Sequence, residues 1–172
     1  KEDNPYSRDV AYRLSCESAV LLKNDSVLPL KKGSNVVLMG PGADIIPCGG
    51  GSGSVDPLYS ISLYEGMSRL GEDFPVTIVG EDYRKAVRTL KEADAVVVSV
   101  GFDRQTEKED HDMTFALPQG QEDYLRKVLA LNENVVVVLN AGGGIDMTSW
   151  LPDVKAVLMA WYPGQQGGLA VS

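Results

Sequence analysis

The sequence predicts an α/β fold, a three-layer sandwich in which a mostly parallel central sheet is flanked by helices. Short apolar runs rich in valine alternate along the chain with amphipathic segments of helical spacing. Runs that are apolar on both faces are typical of parallel strands covered by helices on both sides. The 172 residues are enough for one domain with a sizeable core.

The predicted strands are short, uninterrupted apolar runs, most of which are bounded by glycine or asparagine. They cover residues 35–40, 76–80, 95–101, 135–140 and 156–161. The predicted helices have apolar residues at helical spacing, with Ser7 as a candidate N-cap of the first and Gly71 as a candidate C-cap of the second. They cover residues 8–23, 60–70 and 82–92, a segment that starts just after Pro118, and the beginning of GQQGGLAVS.

We interpret residues 1–30 as an entry segment with the first helix, and residues 31–172 as the sandwich domain. The last predicted helix ends soon after it begins, so we expect the domain to be truncated at its C-terminal end and to come from a longer polypeptide. The chain has no room for the eight strand–helix units of a TIM barrel.

Composition excludes several classes of function. With 16 Lys and Arg against 24 Asp and Glu, the net charge is −8, which argues against nucleic-acid binding. No apolar run approaches the roughly 20 residues of a membrane span. The single histidine, His111, excludes a multi-histidine metal site. Cys16 and Cys48 are expected to be unpaired thiols. The sequence leaves the compartment open, with a secreted or periplasmic location favoured over a cytoplasmic one.

Three unusual loops follow predicted strands. They are the Gly-rich loop after Gly40, the acidic loop after Gly101 and the glycine turn after Asn140. In an open parallel sheet, binding groups gather beyond the carboxyl ends of the strands. We therefore expect these loops to lie at the same edge and to border a site.

The Gly-rich loop includes GGGSGS, residues 49–54. A P-loop would need a Lys followed by Ser or Thr at the head of a helix, and none follows here. The preceding GPGADI lacks the third glycine of a dinucleotide fingerprint. Nucleotide binding is therefore disfavoured. A flexible connector, or a backbone-lined loop that approaches a ligand or a neighbouring domain, remains open.

The acidic loop, GFDRQTEKEDHDM at residues 101–113, carries five carboxylates: Asp103, Glu107, Glu109, Asp110 and Asp112. A solvated surface loop is the simplest interpretation. A cation site is another, but the loop lacks EF-hand spacing. The third is general acid/base chemistry, in which burial or a neighbouring carboxylate raises the pKa of a proton donor. Composition alone does not choose among them.

The stretch TEKEDHDMTFALPQGQEDYL resembles the acid/base loop of family 3 glycoside hydrolases, E-x-E-G-x-D-R followed by L-P-x-x-Q. Glu107, Glu109 and Asp112 match the two Glu and the Asp. Asp110 replaces the usual Gly and Met113 the usual Arg. Further similar segments, in the order of the family, are ESAVLLKNDSVLPL, MGPGAD, GGGSGSVDP, VVVVLNAGGGIDMTSW and AVLMAWYPGQQGG.

The resemblance implies the sandwich domain of a retaining, β-glucosidase-like hydrolase of terminal β-linked sugars. In the family, an Asp nucleophile on a TIM-like barrel lies opposite a Glu of the sandwich domain, about 5–5.5 Å away. The resemblance implies that Glu109 is the acid/base, with Glu107 as the runner-up. Asp112 would orient the loop by hydrogen bonding. Asp110 and His111 are flanking candidates for substrate binding or loop orientation, and a solvated surface position is the alternative for both. A glycoside substrate and the barrel are the implied partners, with no cofactor and no metal.

The residues leave alternatives of another class open. A non-catalytic α/β ligand-binding or scaffolding domain would use the acidic loop as plain surface, and Asp110 and Met113 favour it. A small-molecule receptor or a nucleotide-binding Rossmann-like domain is a third hypothesis. The isolated chain is expected to lack glycosidase activity, because the nucleophile must come from elsewhere.

Overall fold

The computed structural model describes residues 4–80, 82–110 and 112–172. In this part of the chain, six strands form one sheet in the order β1-β6-β5-β4-β2-β3. The strands are β1 Val20–Asn24, β2 Val36–Met39, β3 Val76–Ile78, β4 Ala95–Gly101, β5 Val135–Asn140 and β6 Ala156–Met159. Neighbours from β3 to β6 pair in parallel, and β1 pairs antiparallel to β6. The predicted α/β sandwich with a mostly parallel sheet is confirmed.

Five helices of the described residues flank the sheet, and three of them connect successive strands. They are α1 Pro5–Ser18, α2 Leu63–Ser68, α3 Val87–Glu92, α4 Gln121–Leu129 and α5 Gly167–Val171. Helix α2 begins at a capping box, in which Ser62 and Glu65 each bond the backbone N–H of the other. It ends at Ser68, before the predicted Gly71, which instead begins a short 3₁₀ turn. The predicted helix over 82–92 is split into a 3₁₀ turn and α3.

The prediction of a single helix over 8–23 is wrong in its last part. Helix α1 ends at Ser18, Ala19 is extended, and the next residues form β1. Pairing with the open edge of β6 supplies backbone hydrogen bonds that a helix would otherwise make, and this tertiary contact overrides the helical spacing of the leucines. The proposed division at residue 30 stays a prediction, although β1 joins the entry segment to the sheet.

The core has two layers because alternate residues of a strand point to opposite faces of the sheet. Val96 and Val98 of β4 pack into the layer that also holds fully buried Trp150. Val97, between them, packs into the layer under α2 and α5. Every residue of β5 is buried, which explains why its run is apolar up to Asn140.

Candidate active site

The three unusual loops meet at one edge of the sheet, as predicted. Strands β4 and β5 end in register, with Gly101 opposite Asn140. The N–H of Phe102 donates to the Asn140 carbonyl at 2.8 Å, so the acidic loop leaves the sheet beside the glycine turn. The N–H of Gly42 donates to the carbonyl of Ser99 at 3.2 Å, which places the Gly-rich loop on the other side of β4.

Glycine is required where these loops leave the strands. Gly101 has a φ of +143°, and a Cβ there would overlap the carbonyl oxygen of Asn140. A Cβ on Gly42 would overlap the hydroxyl of Ser99. The close approach of neighbouring loops therefore depends on the missing side chains.

Gln121, the first residue of α4 and the Gln of the L-P-x-x-Q pattern, fixes the start of the acidic loop. Its Oε1 accepts from the N–H of Gly101 at 2.8 Å, and its Nε2 donates to the carbonyl of Gly101 at 2.8 Å. Both backbone groups of the last residue of β4 are thus satisfied by one side chain. The direction in which the acidic loop leaves the sheet is set by this clamp.

A buried polar pair lies directly beneath the site. Ser99 donates its hydroxyl proton to Asn140 Oδ1 at 3.1 Å, and Asn140 Nδ2 donates to the carbonyl of Trp161 at 3.0 Å. Trp161 follows β6 with a φ of +55°, a conformation uncommon for a side chain of this size. Its indole N–H donates to Ser18 at the end of α1 at 2.9 Å. These contacts hold the exit of β6 against the exit of β5.

The root of the acidic loop is a compact turn. Asp103 Oδ1 accepts from the N–H groups of Gln105 at 2.9 Å and Thr106 at 3.0 Å, and from the Thr106 hydroxyl at 2.8 Å. Burial tends to raise the pKa of Asp103, but these hydrogen bonds outweigh it and leave the pKa below its usual value. The adjacent Arg104 reaches the Gly-rich loop, where it pairs with Asp56 at 2.9 Å.

Glu107 joins the acidic loop to two other exit loops. Its carboxylate accepts from the N–H of Gly142 in the glycine turn at 3.1 and 3.0 Å, and from the hydroxyl of Tyr162 after β6. Burial, followed by the hydrogen bond to Glu107, raises the pKa of Tyr162 above its usual value. The phenol therefore stays protonated at neutral pH and acts as a donor.

Glu109, two residues further on, has a different environment. Its side chain is exposed, and its carboxylate accepts from both the N–H of Ser52, at 3.2 Å, and the Ser52 hydroxyl. These hydrogen bonds hold the pKa of Glu109 below its usual value, while the charge of Asp110 acts in the opposite direction. The arrangement offers an ionisable carboxylate to a ligand or domain that covers this edge.

The remaining site residues predicted from sequence are Asp110 and Asp112, further along the acidic loop, and His111, which is not among the described residues. Asp110 and Asp112 are exposed. Within the described residues, Asp112 makes no hydrogen bond or ion pair, so its orienting role stays a prediction. His111 lies outside the residues that the structure describes.

Sequence reasoning did not single out Ser52, Gly142 and Tyr162. Ser52 and Ser54 are the two hydroxyl residues of GGGSGS, and the sequence does not tell which of them reaches the acidic loop. Tyr162 follows the last predicted strand, so it was bound to reach the same edge of the sheet, but its partner depended on the order of the strands. Gly142 contributes its backbone N–H, and a sequence pattern of side chains does not indicate such a contact.

The described ranges, residues 4–80, 82–110 and 112–172, contain few features of other kinds of site. No group of three or more His, Cys, Asp or Glu residues in them could hold a metal ion. No helix there is long and apolar enough to cross a membrane. Cys16 and Cys48 are free thiols.

Comparison with known proteins places these loops in a family. Residues 19–172 match the model of the glycosyl hydrolase family 3 C-terminal domain. A probable exo-1,4-beta-xylosidase of Neosartorya fischeri is 33% identical, with 98% of this chain and 23% of the relative covered. Thermostable beta-glucosidase B of Acetivibrio thermocellus is 32% identical, with 100% of this chain and 25% of the relative covered.

Solved structures of bacterial beta-glucosidases contain a region with the same fold as this chain. The beta-glucosidase of Bifidobacterium adolescentis is 30% identical and superposes with a TM-score of 0.86, over 99% of this chain and 27% of that one. A Listeria innocua beta-glucosidase in complex with gluconolactone gives 27% identity and a TM-score of 0.86, over 98% and 24%. The chain thus spans about a quarter of the length of the relatives that it matches. It belongs to the glycosyl hydrolase family 3 C-terminal domain family.

Proposed function

We propose that this domain supplies Glu109 as the general acid/base of a retaining, β-glucosidase-like hydrolase of terminal β-linked sugars. The observation that carries the proposal is the difference between two nearby glutamates. The carboxylate of Glu107 accepts hydrogen bonds from Gly142 and Tyr162. Glu109 is exposed, and among the described residues its carboxylate accepts hydrogen bonds from Ser52 of the Gly-rich loop. Of the two glutamates, Glu109 is the one with an exposed side chain, and this supports its assignment as the proton donor.

Glu109 would act twice in each turnover. When protonated, it donates its proton to the glycosidic oxygen as the bond to the anomeric carbon breaks. As a carboxylate, it then takes a proton from the water that attacks the glycosyl-enzyme intermediate. The hydrogen bonds from Ser52 favour the second form. A second carboxylate and exclusion of water by a docked barrel would favour the first.

The nucleophile is proposed to be an Asp on a TIM-like barrel that covers this edge of the sheet. The names of the relatives, beta-glucosidase and exo-1,4-beta-xylosidase, support a β-glucoside or β-xyloside as the substrate class. Asp110, His111 and Asp112 follow Glu109 directly, and we propose that they contact the sugar or orient the loop when the barrel is in place.

The test is Glu109→Ala in the full-length protein that contains this chain. Loss of a general acid lowers the rate by about 10²–10⁴-fold, and we expect that loss with alkyl glycosides. Aryl glycosides with acidic phenols need little protonation, so their glycosylation step should change much less. Azide should then restore deglycosylation and release a glycosyl azide.

The control is Glu107→Ala in the same protein. We expect it to show no azide rescue, because Glu107 is not presented to the substrate. Should Glu107→Ala show the leaving-group dependence and the rescue while Glu109→Ala does not, the assignment of the acid/base is wrong. We also expect no measurable glycosidase activity from purified residues 1–172, and turnover by that segment would contradict the need for a barrel.

A further inference from the structure

We propose that Tyr162 and Glu107 are positioning residues that set the place of Glu109 through a latch. The latch consists of the Glu107 carboxylate, the Tyr162 hydroxyl and the N–H of Gly142. The inference rests on the proposed role of Glu109 and goes beyond it, because it says what holds the proton donor in reach of the substrate.

The latch joins parts of the chain that are far apart in sequence. Glu107 lies 35 residues from Gly142 and 55 residues from Tyr162. The three residues follow β4, β5 and β6, which are neighbours in the sheet. One carboxylate therefore ties the acidic loop to the exits of both following strands.

The backbone of Glu107 also holds the segment that contains Ser52, the hydrogen-bond partner of Glu109. Its carbonyl accepts from the N–H of Gly50 at 2.7 Å, and its N–H donates to the carbonyl of Asp103 at 2.9 Å. Gly50 lies two residues before Ser52, and Glu107 lies two residues before Glu109. The hydrogen bonds between Ser52 and Glu109 thus extend a pairing of the two loops that starts at Glu107.

The latch is closely packed. A Cβ on Gly142 would overlap Oε1 of Glu107 and lie 3.4 Å from the ring of Tyr162. A Cβ on Gly49 would lie 3.3 Å from the same ring. The tyrosine ring therefore fills the space between the Gly-rich loop and the glycine turn, and its hydroxyl reaches the carboxylate from a fixed direction.

A general acid works only within hydrogen-bond reach of the leaving oxygen, about 2.6–3.2 Å. A displacement of about 1 Å can lower a rate by about 10²-fold. Tyr162→Phe keeps the ring and removes the hydroxyl that donates to Glu107. The root of the loop then relaxes, and Glu109 loses its alignment while all catalytic atoms are still present.

The experiment uses Tyr162→Phe in the full-length protein and a series of glycosides with leaving groups of different acidity. We expect kcat to fall about 10-fold or more for alkyl glycosides, within the range for misplaced catalytic groups. Activated aryl glycosides should change little at the glycosylation step, and KM should stay nearly constant. Tyr59→Phe is the matched control, because the hydroxyl of Tyr59 accepts a hydrogen bond from Gln166 away from the acidic loop.

A double-mutant cycle separates positioning from general stability. If Tyr162 acts through Glu109, then Tyr162→Phe causes no further loss in a Glu109→Ala background. A loss that adds fully to that of Glu109→Ala, or that is equal for all leaving groups, overturns the latch. If Glu109→Ala itself leaves the leaving-group dependence unchanged, it is the proposed function that fails. Glu107→Gln gives the same comparison if Tyr162→Phe does not fold.

Discussion

The clamp between Gln121 and Gly101 gives a prediction for stability. Gln121→Ala removes one acceptor and one donor, each of which lies 2.8 Å from a backbone group of Gly101. A neutral hydrogen bond contributes about 1 kcal/mol net, so two lost bonds lower the free energy of unfolding by about 2 kcal/mol. For a domain of this size, that corresponds to a fall in Tm of roughly 4–8 °C.

The measurement is urea denaturation of the full chain, followed by far-UV circular dichroism at constant temperature. Gln119→Ala is the matched control, because Gln119 is exposed, lies in the same segment and makes no hydrogen bond within the described residues. We expect Gln119→Ala to change the free energy of unfolding by less than about 0.5 kcal/mol. If Gln121→Ala differs from this control by no more than that, the clamp does not stabilise the β4 exit and the reasoning is refuted.

A second variant tests the direction of the bonds. Gln121→Glu keeps an acceptor for the N–H of Gly101 but places a carboxylate oxygen against the Gly101 carbonyl. Above the usual glutamate pKa of about 4.3, we expect a loss of stability at least as large as that of Gln121→Ala. Below it, the protonated acid can donate to the carbonyl, so the deficit relative to the native chain should shrink.

Three other predictions follow from the same contacts. Ser52→Ala removes a donor that lowers the pKa of Glu109, so the alkaline limb of kcat/KM in the full-length protein should move to higher pH; an unchanged limb would show that Ser52 does not tune the acid. Trp150→Ala should lower the free energy of unfolding by about 3–5 kcal/mol, because it empties a fully buried site. Trp150→Phe should lower it by clearly less, because the buried indole N–H that it removes has no partner among the described residues; equal losses in urea denaturation would contradict this. Gly168→Ala should destabilise by about 1–3 kcal/mol or more, because a Cβ would overlap the backbone of Ile61 and Ser62 just before α2; Gly53→Ala, with open space around it, should be nearly neutral in the same assay.

The centre of the fold could be predicted from sequence because its strands are buried on both faces. Strands β4 and β5 are apolar at almost every position, so their bounds coincide with the predicted runs. The edge strand β1 was missed for the opposite reason. Leu21 and Leu22 are neighbours and both are about half exposed, so the segment lacks the alternation of buried apolar and exposed polar residues by which a strand is recognised in a sequence. Only the pairing with β6 makes this segment a strand.

The position of the site in the fold could be predicted from the sequence, but the contacts of its side chains could not. The strand pattern indicated that three loops would meet at one edge, and the loop pattern indicated Glu107 and Glu109. It did not distinguish the environments of the two side chains. That difference depends on Ser52 and Tyr162, which lie 57 and 55 residues from their partners and reach them only through the register of the sheet.

The anchoring of the acidic loop at its root has a consequence for protein engineering. Asp103 and Glu107 hold the first half of the loop, and Leu117 is buried again where the chain returns to the core. Residues 112–116 between them are exposed, and Met113 is among them. Apart from the hydrogen bond that the Phe115 carbonyl accepts from the N–H of Asp146 at 2.7 Å, this stretch lies outside the core, so we expect it to accept a segment of different sequence. Because Asp112 is proposed to contact the sugar or to orient the loop, we expect that grafting such segments between relatives would alter the sugar preference of the full-length protein.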